Sequence, residues 1–392
     1  MNITTDQYIA LSKLVRWYNN FSHQVIEISG VIGTGVMEVI KSFISTIGFD
    51  PREIMYLSFD QKQVLEMAYK RYHAYYLKGI IYNYTRIVDF DSLPVVNYRS
   101  TEIDYKWTKK VRKKIDPKYK LIIVFDSTLL NRQTLEDICS FGLPIVLIQD
   151  PMLMPAPDTY TFLRTPNIEL HELNPDILKS PIVYFANKVL RGEPIPLGNF
   201  NNVSIISKKE LNAYTLKSTE MILALTDDVM DYFNKYYREK ILKQQTDLTM
   251  LNEKVIIMSD LYGRKIVNSD EEKIKVYLMK GMIGNISKCN KHALSTRYIP
   301  VSFKPDCYHE SFEDLYMDRF YLNGVDAPSR QLKPDEIMLC KYAYALSPQL
   351  ARLSHWDKAV IIGDCDEYDN ETRNQLLYNA ITRAQESFTL VV

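Results

Sequence analysis

An excess of charge of either sign is missing from this chain: Lys and Arg number 48, Asp and Glu 48, and the formal net charge is zero. Proteins that grip duplex nucleic acid usually carry a basic excess, because each neutralised phosphate releases counterions. Any nucleic-acid contact here must therefore come from a local patch. Cysteine is scarce as well. Cys139, Cys289, Cys307, Cys340 and Cys365 are scattered, odd in number and never spaced C-x-x-C. That pattern supports no disulfide framework and reads as reduced thiols in the cytoplasm. The six His show no metal-ligand spacing, so no metal is expected. No apolar run approaches the ~20 residues that cross a bilayer. Residues Met1 to Leu14 carry no signal-peptide pattern, so no membrane partner is expected. No solenoid-period repeat and no low-complexity linker interrupts the chain.

What is present starts with an ordinary globular composition, 46% hydrophobic and 24% charged, over 392 residues, enough for two or three domains. The most informative segment is Gly30-Val31-Ile32-Gly33-Thr34-Gly35-Val36-Met37. A phosphate-binding loop reads G-x-x-x-x-G-K-[ST]: glycines turn N–H groups toward phosphates, Lys neutralises charge, and the hydroxyl holds Mg²⁺. Here Gly30, Gly33, Thr34 and Gly35 survive after an apolar strand, Val25 to Ser29. The Lys position is Val36 and the Mg²⁺ position is Met37. Each lost charged hydrogen bond costs roughly 1.5–3 kcal/mol. The alternative is a Gly-rich turn that only packs.

Short continuous apolar runs predict buried parallel strands at Val25–Ser29, Ile54–Phe59, Leu121–Phe125 and Pro144–Gln149. Helical patterns at Val36–Ile47 and Asp60–Leu77 alternate with them, predicting a doubly wound α/β domain. The alternation returns with helix Pro181–Arg191, strand Met221–Thr226, helix Asp227–Leu242, strand Ala359–Gly363, helix Thr372–Ala384 and strand Ser387–Val392. Residues 80–120 form an irregular, then basic, insertion. Within 252–335 the segments Lys254–Met258, Lys275–Met279 and Gly284–Lys288 alternate like small antiparallel strands, which predicts an inserted β-barrel.

In this order the segments resemble a superfamily 1 DNA helicase of the RecD/Dda type, common in phages. Thr5-Asp6-Gln7 resembles the motif that reads adenine, and residues 30–37 hold the place of motif I. Tyr56-Leu57-Ser58-Phe59-Asp60-Gln61-Lys62 resembles the motif Ia segment that touches single-stranded DNA. Leu121 to Ser127 fills motif II, with Asp126 kept. Leu147 to Pro155, with Asp150, is similar to motif III, and Leu376-Leu377-Tyr378-Asn379-Ala380-Ile381-Thr382-Arg383-Ala384 to motif VI, with Arg383 as its arginine finger. The resemblance implies two RecA-like P-loop NTPase domains, at 1–170 and 171–392. It also implies a small 1B-like insertion at 80–120 and an SH3-like β-barrel at 252–335.

The departures from the pattern concern ATP. Beside Val36 and Met37, Ser127 replaces the water-polarising Glu and Leu153 a γ-phosphate-sensing Gln. No Arg falls near Leu173 to Asp176, and Tyr344 to Leu350 replaces motif V. Gln7, Gly30, Gly33, Thr34, Gly35, Asp126, Asp150 and Arg383 are thus expected to form a vestigial nucleotide site, without catalytic residues and without a cofactor. The bland readings are a strand-end cap for Asp126 and a structural ion pair for Arg383. A basic run from Lys106 to Lys120 carries Tyr105, Trp107 and Tyr119, the mixture of charge and stacking rings that single-strand binding uses. With Lys62, the residues Trp107, Lys109, Lys110, Arg112, Lys113 and Lys114 are the expected nucleic-acid contacts; a solvated basic helix or linker is the plain alternative. Three functions follow. One is a helicase-like pseudoenzyme of phage origin in the bacterial cytoplasm, binding single-stranded DNA or a replication or recombination protein. Another is a divergent ATP-dependent helicase using ATP and Mg²⁺. The last is a protein scaffold without nucleic-acid contact.

Overall fold

The computed structural model describes residues 3–60, 63, 64, 67, 68, 70–88, 105–111, 115–153, 166–244, 251–259, 261–266, 273–278, 280–289, 297–306, 308, 310–324, 337–352, 354–363 and 367–392. These fall into two compact units. One comprises Met1–Asn83, Lys110–Asp227 and Ser347–Val392; the other comprises Tyr84–Lys109 and Asp228–Leu346.

The first unit holds two sheets. Helix α1 (Thr5–Asn20) begins at a capping box, in which Thr4 Oγ1 accepts from Gln7 N and Gln7 Oε1 accepts from Thr4 N. Then come β1 (Val25–Gly30), α2 (Val36–Ile47), β2 (Ile54–Ser58), β3 (Ala74–Tyr76), α3 (Leu77–Ile81), the strands β4 (Tyr82–Val88) and β5 (Tyr105–Val111), which fall mostly in the other unit, and then β6 (Leu121–Val124), α4 (Arg132–Cys139), β7 (Ile145–Gln149) and β8 (Ile168–Leu170). The order β3-β2-β6-β7-β1-β8 makes one sheet, and its pairings are parallel. Ile26 and Ile28 of β1 meet Ala10, Leu14 and Trp17 of α1 and Val36, Val39, Ile40 and Phe43 of α2 in one core. The apolar runs of β2, β6 and β7 are buried along nearly their whole length, as parallel strands covered on both faces must be.

The second sheet of this unit follows from α5 (Pro181–Leu190), β9 (Gly198–Phe200), β10 (Val203–Ile206), α6 (Ala213–Lys217) and β11 (Met221–Ala224). After the excursion through the other unit it is completed by α9 (Pro348–Ala351), β21 (Trp356–Ile362), α10 (Asn370–Ile381) and β22 (Ala384–Val391). The order runs β11-β21-β22-β10-β9, parallel except for the edge pair β9–β10. Two parallel sheets in an α/β layout are what a resemblance to RecA-like domains implies.

The helix expected over Asp60–Leu77 is too long. The chain turns at Arg71, in the left-handed region, and β3 occupies Ala74–Tyr76. The aromatic pair Tyr75-Tyr76 favours strand, and the ladder to Tyr56, Leu57 and Ser58 satisfies the backbone there. The helix expected to run through Thr372–Ala384 stops at Ile381, because Ala384 already pairs with Trp356 in the sheet.

The second unit contains α7 (Asp227–Tyr236), β12 (Lys254–Ile257), β13 (Leu261–Ile266), β14 (Lys273–Leu278), β15 (Ile283–Cys289), β16 (Tyr298–Pro305), β17 (Phe312–Asp318), α8 (Arg319–Leu322), β18 (Ile337–Met338), β19 (Cys340–Tyr342) and β20 (Ala345–Leu346). An antiparallel sheet runs β14-β13-β17-β16-β15-β12-β19, with β18 parallel beside β17. It reaches Tyr342 through β19, which pairs with β12. The strands β4 and β5 form a two-stranded sheet of their own.

Candidate functional site

The segment Gly30–Met37 folds as a strand–turn–helix unit of phosphate-loop shape. Gly33 (φ +100°) and Gly35 (φ +82°) take left-handed backbone conformations that a side chain would strain. A Cβ on Gly33 would also press on Val183, and one on Gly35 would overlap Gln7 Nε2. No side chain caps α2, so its first N–H groups retain the partial positive charge that draws anions.

The rest of the loop is engaged by protein. The Val31 carbonyl accepts from Thr34 N (3.1 Å) and Thr34 Oγ1 (2.8 Å). The Ile32 carbonyl accepts from Asn187 Nδ2 at 2.8 Å, and the Gly33 carbonyl from Asn174 N at 2.8 Å. The Thr34 carbonyl accepts from Gln7 Nε2 at 2.8 Å. Ile32 N donates to the hydroxyl of Tyr378 at 2.9 Å, and that hydroxyl donates to Asp150 Oδ2. Tyr378 has no solvent exposure. Its neighbours on α10 reach the same loops: Asn379 Nδ2 and Gln375 Nε2 donate to the Met152 carbonyl at 2.9 and 3.2 Å.

Gln7 is tied into the loop by its side-chain amide. Its amide nitrogen holds Thr34, while its oxygen accepts from Thr4 N at 3.0 Å and Asn174 Nδ2 at 3.3 Å. Asn174 stands where the sequence lacks an Arg, and it is fully buried. Val36, at the Lys position, is 9% exposed and belongs to the core of α1, α2 and β1. Met37 is exposed and offers no oxygen for a cation.

The expected acidic and basic residues converge behind the loop. Asp126 follows β6 in a left-handed conformation (φ 50°) and makes no side-chain capping bond, against the plain reading of it as a cap. Burial pushes its carboxyl up, opposed by Arg383 and reinforced by Asp60. Burial pushes Asp150 up to about 6, against the hydrogen bonds from Tyr378 and Met152 N and the charge of Arg383. Arg383 makes no ion pair among the described residues. One Nη donates to the Arg352 carbonyl at 3.1 Å, and its Nε has no hydrogen-bond partner there. Ser127 is buried with an Oγ likewise without a partner. Asp60, in the segment that resembles motif Ia, is paired with His355 Nδ1 at 2.7 Å.

Mg–ATP does not fit this set of residues. Charge neutralisation, the metal-ligating hydroxyl and the water-polarising carboxylate are all missing. The loop's carbonyls and the Ile32 N–H are bound to side chains and backbone of the protein itself. Asn174, Asn187, Tyr378 and Asn379 are the residues that sequence reasoning missed. Tyr378 and Asn379 do lie in the segment that resembles motif VI, and Asn187 shows as a polar residue on the apolar stripe of Val183, Ala186 and Val189.

The basic run is in part a strand, not a helix: Lys106, Trp107, Lys109 and Lys110 lie in β5. Their side chains, together with Lys62, Arg112, Lys113, Lys114, Met154 and Pro155, lie outside the described residues. Tyr119 is no stacking ring. It is buried and its hydroxyl meets those of Tyr75 (2.5 Å) and, at 3.2 Å, His73 Nδ1. Lys118 and Lys120 are held by Asp116 and Glu53. Asp369 caps α10, its Oδ1 accepting from Thr372 N at 2.8 Å. No helix among the described residues is long and apolar enough to cross a membrane.

The class these observations define is an α/β protein with two largely parallel sheets and a turn of phosphate-loop shape whose carbonyls and Ile32 N–H are bonded to the protein. No protein-family model matches the chain, nor does any curated protein by sequence. Among solved structures, Pif1 helicase from Bacteroides in complex with ADP-AlF3 and ssDNA aligns with 100% of this chain and 92% of its own. The identity is 12% and the TM-score 0.44. Pif1 helicase from Candida albicans aligns with 100% and 95%, at 10% identity and a TM-score of 0.40. Bacteroides Pif1 bound to ssDNA aligns with 100% and 92%, at 12% identity and a TM-score of 0.42. Likenesses of this depth say nothing about activity.

Proposed function

We propose that this chain is a helicase-like protein that has lost its ATPase chemistry and acts as a DNA-replication or recombination accessory. It binds single-stranded DNA, a replication or recombination protein, or both, in the cytoplasm of a phage-infected bacterium. The domains of this reading are 1–170 and 171–392, with a 1B-like insertion at 80–120 and an SH3-like barrel at 252–335. One observation carries it: the phosphate-loop turn keeps its glycine geometry while Val36 enters the core and Tyr378 takes the Ile32 N–H. A Gly-rich turn that merely packs needs no Asp126, Asp150 and Arg383 gathered behind it, whereas the remnant of a nucleotide site accounts for all three.

The DNA contacts are assigned to Lys62, Trp107, Lys109, Lys110, Arg112, Lys113 and Lys114, on charge and aromatic content alone. Two measurements test the proposal. With single-stranded DNA present, no ATP hydrolysis above background is expected; turnover of even ~1 s⁻¹, an ordinary enzyme rate, overturns the pseudoenzyme. In fluorescence anisotropy, Trp107→Ala should weaken oligonucleotide binding by the ~1–3 kcal/mol of one stacked base and leave the salt dependence alone. Lys109→Ala with Lys110→Ala should reduce the log–log salt slope by about 0.7 per contact. Absence of binding at low salt removes the DNA role.

A further inference from the structure

The misfit between the loop and Mg–ATP has a positive counterpart. A nucleotide-driven cleft is bridged by its ligand, whose phosphates take the loop N–H groups on one side and an arginine on the other. Here side chains carried by the second sheet's helices bond the first sheet's loops directly. Tyr378 of α10 accepts from Ile32 N (2.9 Å) and donates to Asp150 Oδ2. Asn187 of α5 donates to the Ile32 carbonyl (2.8 Å), and Asn379 and Gln375 of α10 to the Met152 carbonyl. His355, just before β21, is hydrogen-bonded to Asp60 at 2.7 Å.

We propose that the Tyr378 hydroxyl is an internal stand-in for a phosphate oxygen and that, with Asn187, Asn379 and Gln375, it latches the two sheets together without any nucleotide. The hydroxyl suits the place. It accepts from a loop N–H as a phosphate oxygen would, and it also donates, which a phosphate oxygen cannot do. That second bond turns Asp150, a carboxylate that would repel phosphate, into a partner. Asn187 and Asn379 each make a further bond within their own helices, to the Val183 and Gln375 carbonyls. Their amides are thereby oriented before they cross to the other sheet. The latch rests on the reading that the loop takes no nucleotide, but it does not depend on DNA binding.

Hydrogen exchange on the full chain tests it, without nucleotide and then with Mg–ATP. Peptides covering 30–37 and 150–153 should be protected in the nucleotide-free protein, and Mg–ATP should change nothing. Tyr378→Phe keeps the ring and removes only the hydroxyl; it should speed exchange of both peptides about tenfold while β2, β6 and β7 stay protected. Gln375→Ala, a half-exposed and milder change, should act in the same direction on 150–153. A loop that exchanges freely in wild type, or exchange unaltered in both variants, overturns the latch. Slowing of exchange by Mg–ATP overturns instead the reading that nucleotide is not bound.

Discussion

Val36 shows at the scale of one residue why the lost chemistry is not restored by a point change. It packs with Ala10, Leu14, Val39 and Ile40, and it is 9% exposed. A lysine there either buries its ammonium or tears its stem out of the core. We expect Val36→Lys to cost about 1–3 kcal/mol in urea unfolding, the range for burying a poorly partnered polar group. Paired with Met37→Thr it should still yield no ATPase. Ser127 and Leu153 stay wrong, and residues that act as a unit are strongly non-additive. Recovered hydrolysis in the double variant would mean that the other motif positions are misassigned.

At the scale of one element, the end of α7 is tied by a buried ion pair and stacked rings. The helix passes into a π-helical turn over Tyr237–Ile241, a form found mostly in short pieces where packing demands it. Arg238 Nε donates to Glu253 Oε1 at 3.0 Å, and Tyr344 Oη to Glu253 Oε2 at 2.9 Å, with Glu253 fully buried. The Arg238 guanidinium lies 3.9 Å from the Tyr342 ring centroid, and Tyr237 stacks on Tyr344 at 4.8 Å. Removing one partner leaves the other charge buried and alone, which costs about 3–5 kcal/mol. Glu253→Gln should therefore destabilise the second unit by about that much. Exchange should rise in β12 and β19, while the first unit's β6 and β7 remain protected. Equal loss of protection in both units would show that they unfold together.

For the whole molecule, two buried carboxyls set a pH dependence of stability. Glu27, in the middle of β1, is 2% exposed, and its Oε1 has no hydrogen-bond partner among the described residues. Burial pushes it up to about 7, and burial pushes Asp150 up to about 6. Between the ordinary carboxyl range and these values the folded chain holds protons that the unfolded chain has released. Stability is then highest below about pH 4 on this account and is lost as pH rises to about 7. Glu27 accounts for on the order of 3 kcal/mol of that loss, at about 1.4 kcal/mol per pH unit between its ordinary value and about 7. Melting temperatures taken from pH 5 to 8 should fall, and Glu27→Gln should flatten the fall and raise stability at pH 8. A variant curve parallel to wild type would place the effect elsewhere.

Local chemistry was legible in the residues themselves. Parallel strands such as β1, β6 and β7 announce themselves as short apolar runs, because a strand covered on both faces has no polar side. Helix α2 begins at Gly35 and ends before Gly48, since only glycine enters the left-handed turns there cheaply. The absence of Lys, Thr or Ser and Glu at Val36, Met37 and Ser127 needs no coordinates to see. Sequence could not show what replaced them. Tyr378 lies 346 positions from Ile32, and Asn187 lies 155. No local periodicity encodes such pairings, because they depend on which helix faces the folded sheets bring together. The same holds for Gln7, legible as a likeness to an adenine-reading motif but not as the brace over Gly35, and for Tyr119, legible as an aromatic among lysines but buried by β3. Hydrophobic pattern determined the elements; long-range packing alone decided which polar groups were left to fill the loop.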